Sequence, residues 1–124
     1  MPLNLIFIQS NKEFTDADQK KITTLTEAVF KDTDKKLGVP GVVNITFYRN
    51  GKGNGGYTQA KDWIQVTIGE GEIDMVDLEA MLYHELHHIV RGYNGFRHDL
   101  TLLDTVLAEG LATDYELENA RPDR

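Results

Sequence analysis

The stretch Asp74-Met75-Val76-Asp77-Leu78-Glu79-Ala80-Met81-Leu82-Tyr83-His84-Glu85-Leu86-His87-His88-Ile89-Val90-Arg91-Gly92 carries the strongest helix signal in the chain. Asp74, Asp77 and Glu79 sit near its start, where carboxylates suit the free N–H groups of a helix N-terminus, and Gly92 closes it. Leu78, Met81, Leu82 and Ile89 give it an apolar flank. His84 and His88 stand four residues apart, so their side chains leave one face a turn apart. Two imidazoles so placed can hold one Zn²⁺ at about 2.0–2.1 Å each. Glu85 is rotated by about 100° from His84. It belongs beside a metal rather than on it, where a base for a metal-bound water is needed. His87 competes with His88 as partner of His84, but the i,i+4 pair with Glu85 inside it is the better-defined arrangement. His87 is therefore expected to flank the site.

By average residue usage, a chain of this length would hold this H-E-x-x-H pattern by chance well under about one time in a hundred. The chain has no cysteine, which excludes a disulfide framework, a thiolate metal site and a cysteine nucleophile together. Histidine and carboxylate remain as metal ligands. A catalytic zinc takes three protein ligands and an open position. His98, Asp99, Asp104 and Glu109 are the candidates for the third. Extending the motif to H-E-x-x-H-x-x-G-x-x-H fails, because Arg91 and Asn94 stand where glycine and histidine are required. A surface Glu on a helix is ordinarily just solvated. Glu109, however, lies among Ala108, Gly110 and Ala112, whose small side chains let its helix approach a neighbour closely.

Outward from the motif, Thr101 to Asn119 is expected to form the last helix, docked by an apolar face of Leu102, Leu103, Val106, Leu107, Leu111 and Tyr115. Upstream, Leu3 to Ile8 suits a buried strand and Val42 to Tyr48 a second. Between them Thr15-Asp16-Ala17-Asp18 opens a helix carrying Ile22, Leu25, Val29 and Leu37, ended by Gly38 and Pro40. Two strands joined by a helix predict a parallel βαβ unit. Gly51, Gly53 and Gly56 formally match G-x-G-x-x-G, but a dinucleotide loop must lead from strand to helix, and Trp63 to Ile68 is another strand. The glycines predict a turn and a short edge segment around Gly55 to Thr58.

The 124 residues suit one domain, spanning 1–124. Net charge is −7 and uneven: residues 1–69 are close to balanced, whereas residues 70–124 hold four basic and thirteen acidic side chains. That argues against a nucleic-acid partner. No apolar run approaches the roughly 20 residues of a membrane span, and the start lacks the charged and apolar regions of a secretory signal. The expectation is a cytoplasmic protein with no membrane partner, monomeric or homodimeric.

His84-Glu85-x-x-His88 with the downstream Glu109 resembles the gluzincin zinc metallopeptidases. More narrowly, His84-Glu85-Leu86-His87-His88-x-x-Arg91, Leu102-Leu103-Asp104 and Glu109-Gly110-Leu111-Ala112 are similar to bacterial predicted Zn-dependent proteases, and the size is similar to the single-domain minigluzincins. The resemblance implies one zinc per chain held by His84, His88 and Glu109, with Glu85 as general base. It implies an edge segment, Gly55, Gly56 and Tyr57, that pairs with an extended peptide or protein substrate. The fold expected is α+β: a small mixed sheet of three or four strands, a covering helix, a zincin-type active-site helix and a C-terminal helix bearing Glu109. Tyr93 and His98 are candidates to stabilise the oxyanion, as is Arg91. Asp104, Thr113 and Asp114 are candidates to orient the ligand imidazoles. The function implied is peptide-bond hydrolysis through a zinc-bound water activated by Glu85. The alternatives are a catalytically idle metal-binding interaction module and a zinc hydrolase of a small non-peptide amide. The acidic stretch from Asp114 onward is a candidate to fold into the cleft or into a neighbour's.

Overall fold

A computed structural model describes residues 2–8, 14–50, 53–93 and 99–120. Among them run four strands and three helices, in the order β1 (Leu3–Phe7), α1 (Asp16–Leu37), β2 (Val43–Asn50), β3 (Gly55–Ala60), β4 (Trp63–Gly69), α2 (Met75–Arg91) and α3 (Leu102–Asn119). The fold is the mixed α+β arrangement expected from the sequence.

The sheet order is β1-β2-β4-β3. β1 and β4 flank β2 in parallel, and β3 returns antiparallel to β4, which leaves β1 and β3 as the edges. β1, α1 and β2 thus form the expected parallel βαβ unit. Strict alternation gives the sheet one apolar face. Val43, Ile45 and Phe47 of β2 and Ile64, Val66 and Ile68 of β4 are buried and pack in one core with Ile22, Val29 and Phe30 of α1 and Leu78, Leu82 and Leu86 of α2. The other face carries a polar ladder in which Trp63 Nε1 donates to Thr46 Oγ1 and Gln65 Nε2 to Tyr48 Oη.

Each helix begins on a side-chain cap. Thr15 and Thr101 each accept from the N–H three residues on, while Asp18 and Asp104 reach back to the threonine N–H, closing capping boxes; Asp74 accepts from Asp77 N–H. α2 ends at Gly92, whose left-handed φ of 71° suits a residue without Cβ. Arg49 ties the sheet to α1, its guanidinium reaching Asp18 at 3.2 Å and the Gly71 carbonyl at 3.0 Å.

Three expectations need correction. Leu3 to Ile8 is not a doubly buried strand: β1 is an edge whose Leu3, Leu5 and Phe7 pack on the core while Ile6 is exposed. Leu37 lies past the packed part of α1 and is exposed. The largest correction concerns α3. Leu102, Leu103, Val106, Leu107 and Leu111 do not dock it; Leu102 is 81% and Val106 59% exposed. Ala112 and Tyr115 are its buried residues. Ala108 and Ala112 lie on roughly the opposite side of the helix from Leu103 and Leu107 at 100° per residue. Ala108 and Ala112 face α2, whereas Gly110 is exposed with nothing within 4 Å of where a Cβ would stand, on the same side as the outer leucines. No helix among the described residues is long and apolar enough to cross a membrane.

Candidate metal centre

α2 brings His84, Glu85 and His88 together because its core face, Leu78, Leu82, Leu86 and Ile89, fixes its rotation against the sheet. One potential ligand atom from each of His84, Glu85 and His88 lies within 4.8 Å of the others. The two imidazole centroids are 4.8 Å apart and nearly perpendicular, at 87°. α3 supplies the facing carboxylate. Glu109 Oε1 stands 2.9 Å from His84 Nε2 and 3.1 Å from His88 Nε2. The contact is therefore among both Nε2 atoms and one carboxylate oxygen.

The far side of the His84 ring is held too. His84 Nδ1 lies 2.9 Å from Glu116 Oε1. A carboxylate cannot donate, so the ring gives its Nδ1–H to Glu116; Nε2 faces the Glu109 carboxylate in the same way, so it too carries a proton there, and a metal would take that proton's place. Two imidazole nitrogens converge on one carboxylate oxygen, an arrangement that needs a proton or a cation among them. This all-N/O donor set suits zinc. His88 Nδ1 is buried and finds no partner among the described residues. Tyr93 leans on the same ring, with centroids 4.7 Å apart.

Glu85 is 7% exposed and shares the centre without taking the position of Glu109. Thr58 of β3 donates to its Oε1 at 2.8 Å. Burial pushes the Glu85 carboxyl above the ordinary carboxylate range, although the Thr58 hydrogen bond and the His84 charge oppose the rise. His84 moves upward as well: burial works against its charged form, but the hydrogen bond to Glu109 and the neighbouring Glu85 and Glu116 carboxylates outweigh it. His88 moves downward, chiefly because it is buried.

These side chains border a cavity of about 230 Å³ lined by Gly56, Tyr57, Thr58, His84, Glu85, His88, Tyr93 and Glu109. The edge strand β3 forms one wall. It can run this close because Gly56 has no side chain: a Cβ there would stand 2.8 Å from Met81 Sδ and 3.1 Å from Glu85 Cγ. Gly55 belongs to the same strand but does not line the cavity.

The other sequence candidates fall elsewhere. Asp104 closes the α3 capping box, and it lines with Asp99, Arg91 and Leu107 a neighbouring depression of about 260 Å³. Thr113 and Asp114 are exposed, so neither orients His84; Glu116 stands there instead. His98 lies outside the described residues, as do those after Ala120. His87 flanks the centre as expected, buried against the Tyr115 ring at 5.2 Å. Two contacts escaped the sequence reading. Glu116 follows Glu109 by seven residues, two helical turns, and that spacing was its available signal. Thr58 reaches Glu85 across 27 residues of chain, and no local pattern announces it.

No curated protein and no solved structure is significantly similar to the chain. The model of one protein family matches residues 19–121, from α1 through the end of α3. By that match, covering the motif helix and the Glu109 helix together, the chain belongs to the family of predicted Zn-dependent proteases (DUF2268).

Proposed function

We propose that the protein is a zinc metallopeptidase of the gluzincin type, similar in scale to the minigluzincins, in which His84, His88 and Glu109 hold one zinc per chain and Glu85 is the general base. The observation that carries this reading is the meeting of His84 Nε2 and His88 Nε2 on Glu109 Oε1, in a cavity that Glu85 also borders. Bound there, zinc supplies Lewis acidity toward a water and a carbonyl oxygen.

The chain's own residues do the rest. Glu85 takes a proton from the attacking water and passes it to the leaving nitrogen. Its upward shift suits that exchange, since a base that binds its proton more tightly than a solvated carboxylate gains more by accepting it. Glu116 holds the His84 ring in the Nδ1–H tautomer. β3 offers an exposed strand edge beside the cavity, and an extended peptide adding to it would lie across the site. Tyr93 borders the cavity with a phenol able to donate toward a developing oxyanion.

The test sets two variants side by side, with zinc read by elemental analysis and cleavage by a library of internally quenched peptides. Glu85→Gln keeps zinc near one per chain and loses roughly 10²-fold or more in turnover, the scale for losing a general base. Glu109→Ala loses zinc and activity together. Wild-type rates from Glu85→Gln, or stoichiometric zinc after His84 and His88 are both replaced by Ala, would overturn the assignment. A zinc-loaded wild type that cleaves no peptide favours the idle-module reading.

A further inference from the structure

We infer that Thr58 is a positioning residue for Glu85, and that its hydroxyl fixes which carboxylate oxygen is left to exchange a proton in the cavity. This rests on the assignment of Glu85 as base.

Thr58 is 3% exposed and sits on the inward face of β3, opposite α2. Its Oγ1 lies 2.8 Å from Glu85 Oε1 and 3.2 Å from the Glu85 backbone carbonyl. A hydroxyl has one proton to give. The carboxylate is both the nearer and the charged acceptor, so the proton goes to Oε1, and such charge-assisted bonds are the stronger kind. Oε1 is thereby engaged on the sheet side. The carboxylate's other oxygen has no hydrogen bond among the described residues, and it is the one left for a water in the cavity.

A second constraint acts on the same side chain. A Cβ on Gly56 would stand 3.1 Å from Glu85 Cγ, so the strand backbone closes over the Glu85 methylenes one turn of the pleat from Thr58. Glu85 is thus held at its stem by Gly56 and at one oxygen by Thr58, both from the strand whose outer edge faces the cleft. A peptide that pairs with β3 steadies the strand that aims the base. Binding and proton transfer are coupled through one element, and Thr58 needs no contact with the substrate to influence turnover.

The test compares Thr58→Val, which keeps the shape and removes the hydroxyl, with Thr58→Ser, which restores it. With internally quenched peptides as substrate, Thr58→Val lowers kcat about 10-fold or more, while KM and zinc affinity, read by chelator competition, stay within about twofold; Thr58→Ser recovers most of the loss. A purely structural role would move KM, zinc affinity or the melting temperature instead, and that outcome overturns the inference. So does an unchanged kcat. A crystal structure of zinc-loaded Thr58→Val gives a readout independent of turnover. A Glu85 carboxylate turned away from its wild-type orientation supports the inference, and one that stays in place refutes it. Should the wild type cleave no peptide, the peptidase reading fails while this structural comparison still decides the Thr58–Glu85 link.

Discussion

α2 and α3 both give side chains to the same centre, yet they are held in different ways. Over half of the α2 side chains are buried, in a core shared with the sheet and α1. On α3 that is true of Ala112 and Tyr115 alone, both in its second half. The first half, which carries Glu109, has no buried residue, and Glu109 itself is 48% exposed. The two histidines therefore stand on a rigid element and the facing carboxylate on a lightly anchored one. Of the three side chains that meet at the centre, Glu109 is the least buried and rests on the more lightly packed helix.

The largest effect should come from the rigid side. Leu82 is fully buried two residues before His84. Leu82→Ala should cost about 2–5 kcal/mol, the range for removing a buried leucine side chain. Urea denaturation measures it, and zinc should stabilise the variant by mass action. A loss below about 1 kcal/mol would show that α2 is not the packed half of the comparison.

The next effect concerns how α2 is pinned to α1. Tyr83 Oη donates to Asp32 Oδ2 at 2.8 Å, and Lys36 Nζ reaches the same oxygen at 3.0 Å. Burial would raise the Asp32 carboxyl, but these two donors outweigh it and hold it below the ordinary carboxylate range. A carboxylate depressed on folding stabilises above its unfolded value, near 3.9, and the contribution disappears as pH falls through the folded value. Asp32 keeps about a third of its side chain in water, so Asp32→Asn should cost about 0.5–1 kcal/mol at pH 7. The difference from wild type should shrink below about pH 4. Denaturation curves at pH 7 and pH 3 check this; an equal gap at both would mean the charge of Asp32 contributes nothing.

What the sequence revealed divides along the same line. α2 was legible because its apolar period, its caps and its histidine pair all agree on one rotation. The strands were legible from their apolar, β-branched and aromatic runs, but their order was not: β4 lies between β2 and β3, and such pairing depends on contacts distant in the chain. The face of α3 was misread because it carries two conflicting signals. Leu102, Leu103, Val106 and Leu107 suggest one docking face, and Ala108 and Ala112 the other. The structure follows the alanines, since that rotation also aims Glu109 and Glu116 at His84. The buried Ala112 and Tyr115 and the carboxylates aimed at His84 agree on this rotation, and the outer leucines take no part in it.

The smallest effect tests that conclusion most directly. If the outer face of α3 contributes nothing to the fold, then Leu103→Gln and Val106→Gln should change stability by no more than about 0.5 kcal/mol, the usual range for surface substitutions. Glutamine keeps the net charge constant and is nearly as good a helix former as leucine, so neither confuses the Leu103 result; replacing β-branched Val106 raises helix propensity slightly, which can only offset a loss there. Zinc affinity should also hold for Leu103→Gln, because Leu103 stands about 120° around the helix from Glu109. Amide hydrogen exchange gives a second view: residues 102–111 should exchange well before 78–89, because backbone hydrogen bonds without buried side chains over them open at lower cost. A loss of 2 kcal/mol or more from either variant, or protection of 102–111 equal to that of α2, would mean that the leucines are covered in solution. The contrast between a packed and a lightly held half of the site would then belong to the isolated chain and not to the protein at work.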